Sequence, residues 1–218
     1  VFGGWNRQPW FADARVREQL GLNNDQFDQL RNSYSRSWEG YERGLTGFQS
    51  DLTDEQRSVR RRELGQQFQN DFTSSLDQLL VDPAQRQRFG QLYLQYQGFN
   101  AFNEPTVQQR LNLTDRQLDQ LSRLQQEWNE QMQALSQDWG RDRDGSARFN
   151  ELRQQASERI GNVLTDQQRR IWLEMLGRPF GFPPEAYFPP REGEITPGDD
   201  PRDLDQRAVP TQSNPLQP

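Results

Sequence analysis

"LNLTDRQLDQL", Leu111 to Leu121, holds a Leu-Thr-Asp-x-Gln word that returns through the chain. "DLTDEQR" carries it at Leu52 and "VLTDQQRR" at Leu164, while "GLNNDQFDQL" has an Asn-for-Thr version at Leu22. With Thr114 as N-cap, its hydroxyl is placed to accept from the backbone N–H of Gln117. The Gln117 amide can reach back to the Thr114 N–H, which closes a capping box. Leu113 and Leu118 then occupy the two positions of a hydrophobic staple, and Asp115 puts negative charge where the helix dipole favours it. Leu22 and Phe27 repeat the staple around Asn23 and Gln26. Thr53 with Gln56 and Thr165 with Gln168 form boxes followed by Arg57 and Arg169, without the staple. "VDPAQRQRF" reaches the same end with Asp82 as cap, Pro83 at the first helical position and Gln85 at the third. The word reads as a helix start and not as a catalytic motif.

The residues after each word agree. Phe27, Leu30, Tyr34, Trp38, Tyr41 and Leu45 are spaced by threes and fours, as are Leu118, Leu121, Leu124, Trp128, Met132, Leu135 and Trp139. Leu64, Phe68, Phe72, Leu76, Leu79 and Leu80 form a third stripe; Phe149, Leu152, Ala156, Ile160 and Val163 form a fourth. Such spacing gives amphipathic helices with narrow apolar seams and Gln- and Arg-rich outer faces. No period-two stretch competes, so the fold class is all-α. Asp13 caps a short helix ended by Gly21, and Thr106 with Gln109 is expected to box another. Gly98 and Gly177 stand where helix-ending glycines belong.

Val16 to Leu30 aligns without gaps on Val107 to Leu121 at an offset of 91, and "RELGQQ" at Arg62 resembles "NELRQQ" at Asn150 at an offset of 88. These likenesses predict two tandem units, 12–100 and 101–178, each a short helix, a long hairpin and a final short helix. Residues 1–11, "VFGGWNRQPWF", form an aromatic segment expected to dock. Residues 179–218 form a Pro-rich tail holding ten of the thirteen prolines. Its aromatic start, "RPFGFPPEAYFPP", is expected to lie against the bundle, and its acidic remainder to be disordered.

Of the 218 residues 31% are hydrophobic, and the mean hydropathy is −1.13. That is thin for a globular core but enough for helices that each bury one stripe. There is no His and no Cys, and all 26 basic residues are Arg. The usual zinc, copper, haem and iron–sulfur ligand sets are therefore excluded, with histidine triads, thiol chemistry and Schiff-base lysines. An enzyme is not expected, nor a cofactor or a metal. A net charge of −6 lacks the basic footprint of a nucleic-acid binder, and no apolar run is long enough to span a membrane. The chain begins on Val, which suits a removed secretory signal peptide.

Paired L-T-x-x-Q words, each opening a helix in an Arg- and Gln-rich all-α chain, resemble the LTxxQ-motif family typified by Spy and CpxP. The likeness rests on Leu22–Gln26, Leu52–Gln56, Leu80–Gln85, Leu113–Gln117 and Leu164–Gln168, and spans residues 12–178. Members are small periplasmic proteins whose long crossed hairpins dimerise into a thin cradle. They hold unfolding proteins without ATP or regulate envelope-stress signalling. The resemblance implies a periplasmic or secreted chaperone or stress protein that binds partly unfolded polypeptides on an apolar, Arg-rimmed groove. With two pairs of words in one chain, a single-chain pseudo-dimer stands beside a homodimer. The alternative is a scaffold protein of the cell envelope with one folded partner. Arg57, Arg60, Arg61 and Arg62 are the candidate client-binding cluster, against the plainer reading of a solvated helix face. Tryptophans 38, 128, 139 and 172 lie on stripes, one of which is a candidate groove wall. The third alternative is a calcium-responsive module: Asp142, Asp144 and Glu151 fall at ligand positions of a calcium loop whose first position is Gly140.

Overall fold

Thr53, Thr114 and Thr165 each stand at the start of a helix, with extended backbone and a closed capping box. The Thr hydroxyl accepts from the backbone N–H three residues on at 3.3 Å in each case. The Gln side chain returns the bond at 2.9, 3.1 and 2.9 Å. Asn23 does the same with Gln26, at 2.8 and 3.2 Å. In this computed structural model the described residues are 9–46, 53–139 and 144–188, and among them there are helices and no strands. Leu52 lies outside the described residues, as does all of segment 1–11 but its last three.

A 3-10 turn at Trp10–Ala12 leads into α1 (Ala14–Leu20), α2 (Asn24–Thr46), α3 (Asp54–Leu79) and α4 (Pro83–Gln97). A second 3-10 turn, Gly98–Asn103, leads into α5 (Pro105–Leu111), α6 (Asp115–Asp138), α7 (Gly145–Val163) and α8 (Asp166–Leu176). The order short, long, long, short thus occurs twice. α2 with α3 and α6 with α7 pack as hairpins; α1 rests on α4, α5 on α8, and α4 meets α8 in the middle. The described residues form one compact unit.

Two helix starts depart from the sequence reading. Asp82 does cap α4, but it accepts from Ala84 N–H at 2.9 Å, and Gln85 closes no box. Pro83 removes the N–H at N1, and the Gln85 amide is drawn instead to the Gly21 carbonyl, at 2.9 Å. Thr106 is not a cap either. α5 starts two residues earlier, with Pro105 at N1 and Glu104 at N-cap, and Gln108 donates to the Phe102 carbonyl at 2.7 Å.

The motif glutamines do more than cap. Gln168 donates to Gln117 Oε1 and to the Leu111 carbonyl, both at 3.1 Å, and Gln117 donates to the Val163 carbonyl at 3.0 Å. In the first half Gln26 donates to Gln85 Oε1 at 3.4 Å, and Gln85 to Gly21. Each pair clasps the start of a long helix to the start of the final short helix, across 51 and 59 residues of chain. The Gly21 and Leu111 carbonyls lie at the ends of α1 and α5, where Gly21 and Asn112 take left-handed conformations with φ of 59° and 48°. Chain reversal there frees the helix-terminal carbonyls for the amides.

The core is aromatic in the first half and more aliphatic in the second. Phe11 lies at the centre of the first cluster, 5.6 Å from Tyr34, 5.7 Å from Phe72 and 6.0 Å from Phe89, ring centre to ring centre. Leu30 and Tyr34 are wholly buried, whereas Trp38, Tyr41 and Leu45, further along α2, are only half-buried. Burial falls off along the hairpin because two helices alone cannot cover a stripe. The α2–α3 crossing closes at Gly44, where an added Cβ would clash with the Leu64 side chain. The second cluster gathers around Phe102, Leu121, Ile160 and Trp172.

The aromatic stretch after α8 packs onto this body. Phe182 is 2% exposed and Phe188 7%. Gln95 holds the chain by donating to the Leu176 carbonyl at 2.7 Å and accepting from the Phe180 N–H at 2.7 Å. Tyr187 stacks on Tyr96 at 4.9 Å and lies 5.0 Å from Phe149, so the segment ties α4 to α7.

Candidate functional site

The second hairpin leaves a gap beside it. α6 presents Trp128, Met132 and Ser136 at helical spacing, and α7 presents Arg153, Ala156, Ser157 and Ile160. Opposite them stand the end of α4, the turn residues Gly98–Asn100, the end of α8 and the strap of Pro179 to Phe188. Together they bound a cleft of about 790 Å³, within the size range of ligand sites. Its inner wall is apolar: Trp172 is buried, and Trp128 and Phe180 are half-buried. At the mouth Leu173 is 64% exposed.

Polar groups are few and unevenly committed. Gln95 is spent on the strap. Arg153, the sole basic residue of the lining, donates to the Phe182 carbonyl at 3.2 Å and lies over the Phe149 and Tyr187 rings. Glu130, the sole acidic one, is exposed on α6. Among the described residues no group of His, Cys, Asp or Glu is placed to hold a metal.

The strap carries a titratable group. Burial pushes the Tyr187 hydroxyl up to about 12, against some opposition from Arg153, and burial likewise raises Tyr93 and Tyr96. Unfolded tyrosine loses its proton near pH 10. The folded state therefore keeps its proton where the unfolded state has released it. The stabilisation is full below about pH 10 and lost as pH rises toward about 12. Urea midpoints are expected to fall between about pH 10 and 12, with a shallower fall in Tyr187→Phe; equal slopes would detach Tyr187 from the effect.

The residues singled out in the sequence lie in different places. Trp128 and Trp172 face the cleft; Trp38 and Trp139 do not line it. The arginine cluster is elsewhere: Arg57 is half-buried and Arg60, Arg61 and Arg62 are exposed on the first turns of α3, and none lines the cleft. Arg60 pairs with Glu63 at 3.0 Å. In the calcium reading Asp142 lies outside the described residues. α7 begins at Gly145, so Asp144 and Glu151 are separated by about 10 Å of helix rise. They do not converge on one cation, and the Glu151 carboxylate accepts from Gln155 at 3.1 Å. The capping residues Leu22, Leu113, Gln117, Leu164 and Gln168 belong to the clasps and the core, outside the cleft.

Arg153 and Phe99 line the cleft but carry no mark in the sequence, whereas Met132 falls on the second stripe and Phe180 in the aromatic stretch expected to lie against the bundle. "ELRQQ" looks like a solvated face, and only the strap's return brings Arg153 to the cleft. Fold and cleft define an all-α, two-hairpin protein with an open apolar recess beside its second hairpin. No family model, curated protein or solved structure matches the chain.

Proposed function

We propose that the protein is a cofactor-free, ATP-independent chaperone or envelope-stress protein, periplasmic or secreted, that holds partly unfolded polypeptides. The observation that carries this reading is the cleft. A recess of about 790 Å³ walled by tryptophan, phenylalanine and methionine is open to solvent along the second hairpin. Exposed apolar surface of that kind marks a binding site. The paired L-T-x-x-Q words and the chain's lack of His, Cys and Lys support it from the sequence. Holding would come from many weak contacts with a mobile client. On this reading the tandem words make one chain the equivalent of a dimer. The test is aggregation of a chemically denatured model protein diluted into buffer. Suppression at about equimolar chaperone is expected without nucleotide, and unchanged light scattering would sink the reading.

A scaffold role with one folded partner is the second reading, favoured by Leu173. A leucine this exposed at the cleft mouth suits a partner surface that covers it. A single stoichiometric partner, lost in Leu173→Asp and accompanied by no holding activity, would select this reading.

A further inference from the structure

The second half has an open cleft where the first half fills itself with its own rings. α1 and α5 start 91 residues apart, and so do α2 and α6. At that offset Phe11 meets Phe102, but Trp10 meets Ala101 and the wholly buried Tyr34 meets Gln125. On the returning helices, Leu80 and Leu164 are both buried C-caps. Counted back from them, Ala156 falls at Phe72; counted from the "RELGQQ" and "NELRQQ" likeness, it falls at Phe68. Either count puts alanine where the first half buries a phenylalanine. In the first half Tyr34 packs edge-on against Phe68 and Phe72, at 5.3 Å each. In the second, Ala156 lines the cleft.

Resting on the proposed holding function, we infer that this cleft is a site for aromatic side chains of an unfolded segment, with an adjacent acidic residue drawn to Arg153. The walls suit rings: Trp128, Trp172 and Phe99 offer the edges and faces that aromatic pairs use. Arg153 is the lining's sole cation, and among the described residues no carboxylate forms an ion pair with it. Asn129, Gln133 and Ser157 line the cleft with side chains that make no hydrogen bond among the described residues. Such amides and hydroxyls match a peptide backbone; an aliphatic lipid chain has no use for them.

The test is fluorescence anisotropy with a labelled short peptide carrying two Phe four residues apart and one Glu. Its counterparts have Leu for Phe, or Gln for Glu. The Phe peptide should bind about tenfold more tightly than the Leu peptide, the scale set by two ring contacts. Replacing Glu by Gln should weaken binding to the wild type and leave Arg153→Gln unaffected. Ala156→Phe, which refills the recess as the first half does, should lose about tenfold in affinity with its helix content kept. Trp128→Ala, which removes a wall, should lose binding as well. Equal binding of the Phe and Leu peptides, or an Ala156→Phe or Trp128→Ala protein that folds and binds as the wild type does, would overturn the inference. So would tighter binding after removal of residues 1–8, because Phe2 and Trp5 of the chain itself would then be the occupants. The aggregation assay separates the two ideas. Suppression without aromatic preference defeats the inference alone, and aromatic binding without suppression defeats the holding function.

Discussion

Replacing Phe11 by alanine is expected to lower stability by about 3–5 kcal/mol, the range for a large aromatic deleted from a packed core. Phe11 is 0% exposed, and its ring touches Trp10 and Phe89 as well as Tyr34 and Phe72. Those neighbours come from α2, α3, α4 and the opening turn. The cavity cannot collapse unless three helices shift together, which places the cost toward the upper end. Urea denaturation at neutral pH measures it. A loss under about 1 kcal/mol would mean that the Trp10–Ala12 turn is not part of the folded core.

The second large effect separates clasp from cap. Gln168→Ala should cost about 2–3 kcal/mol, because it strands the buried Leu111 carbonyl and takes away the acceptor of both the Thr165 N–H and the Gln117 amide. Gln168 itself is 9% exposed. Gln56→Ala removes the same residue of the same motif, but Gln56 is exposed and its side chain serves the box at Thr53. It should cost about 0.5–1 kcal/mol, the worth of a cap. Urea titrations of both variants, with Gln117→Ala and the Gln117/Gln168 double variant, close a cycle. A coupling of about 1 kcal/mol is expected between the paired glutamines. Equal losses for Gln56 and Gln168 would reduce the motif to capping alone.

The same contrast marks how far the sequence could be read. The box at Thr114 was legible because it closes within four residues, where steric and hydrogen-bonding options are few. That Gln117 also meets Gln168 was not legible, since the two are 51 positions apart. Local chemistry misled at Asp82 and Thr106: the Gln85 side chain is committed to the distant Gln26 and Gly21, and Pro105, suited to the first helical position, starts α5 ahead of Thr106.

By itself the sequence determined that the chain is all-α, where most of the helices begin, and which residues line each stripe. Periodicity and capping act over one or two turns, and any packed structure must respect them. Only the tertiary structure decided which stripe stays open. Trp128 and Trp38 have the same spacing and chemistry in the sequence, but only Trp128 faces the cleft. The difference lies in whether a neighbour from another helix fills the space: Phe68 and Phe72 in the first half, Ala156 in the second. The strap from Pro179 to Phe188 and the place of Arg153 were decided the same way, by contacts between segments far apart in the chain. Volume left between helices depends on how they cross and what their neighbours bring, and no pattern within one helix contains it.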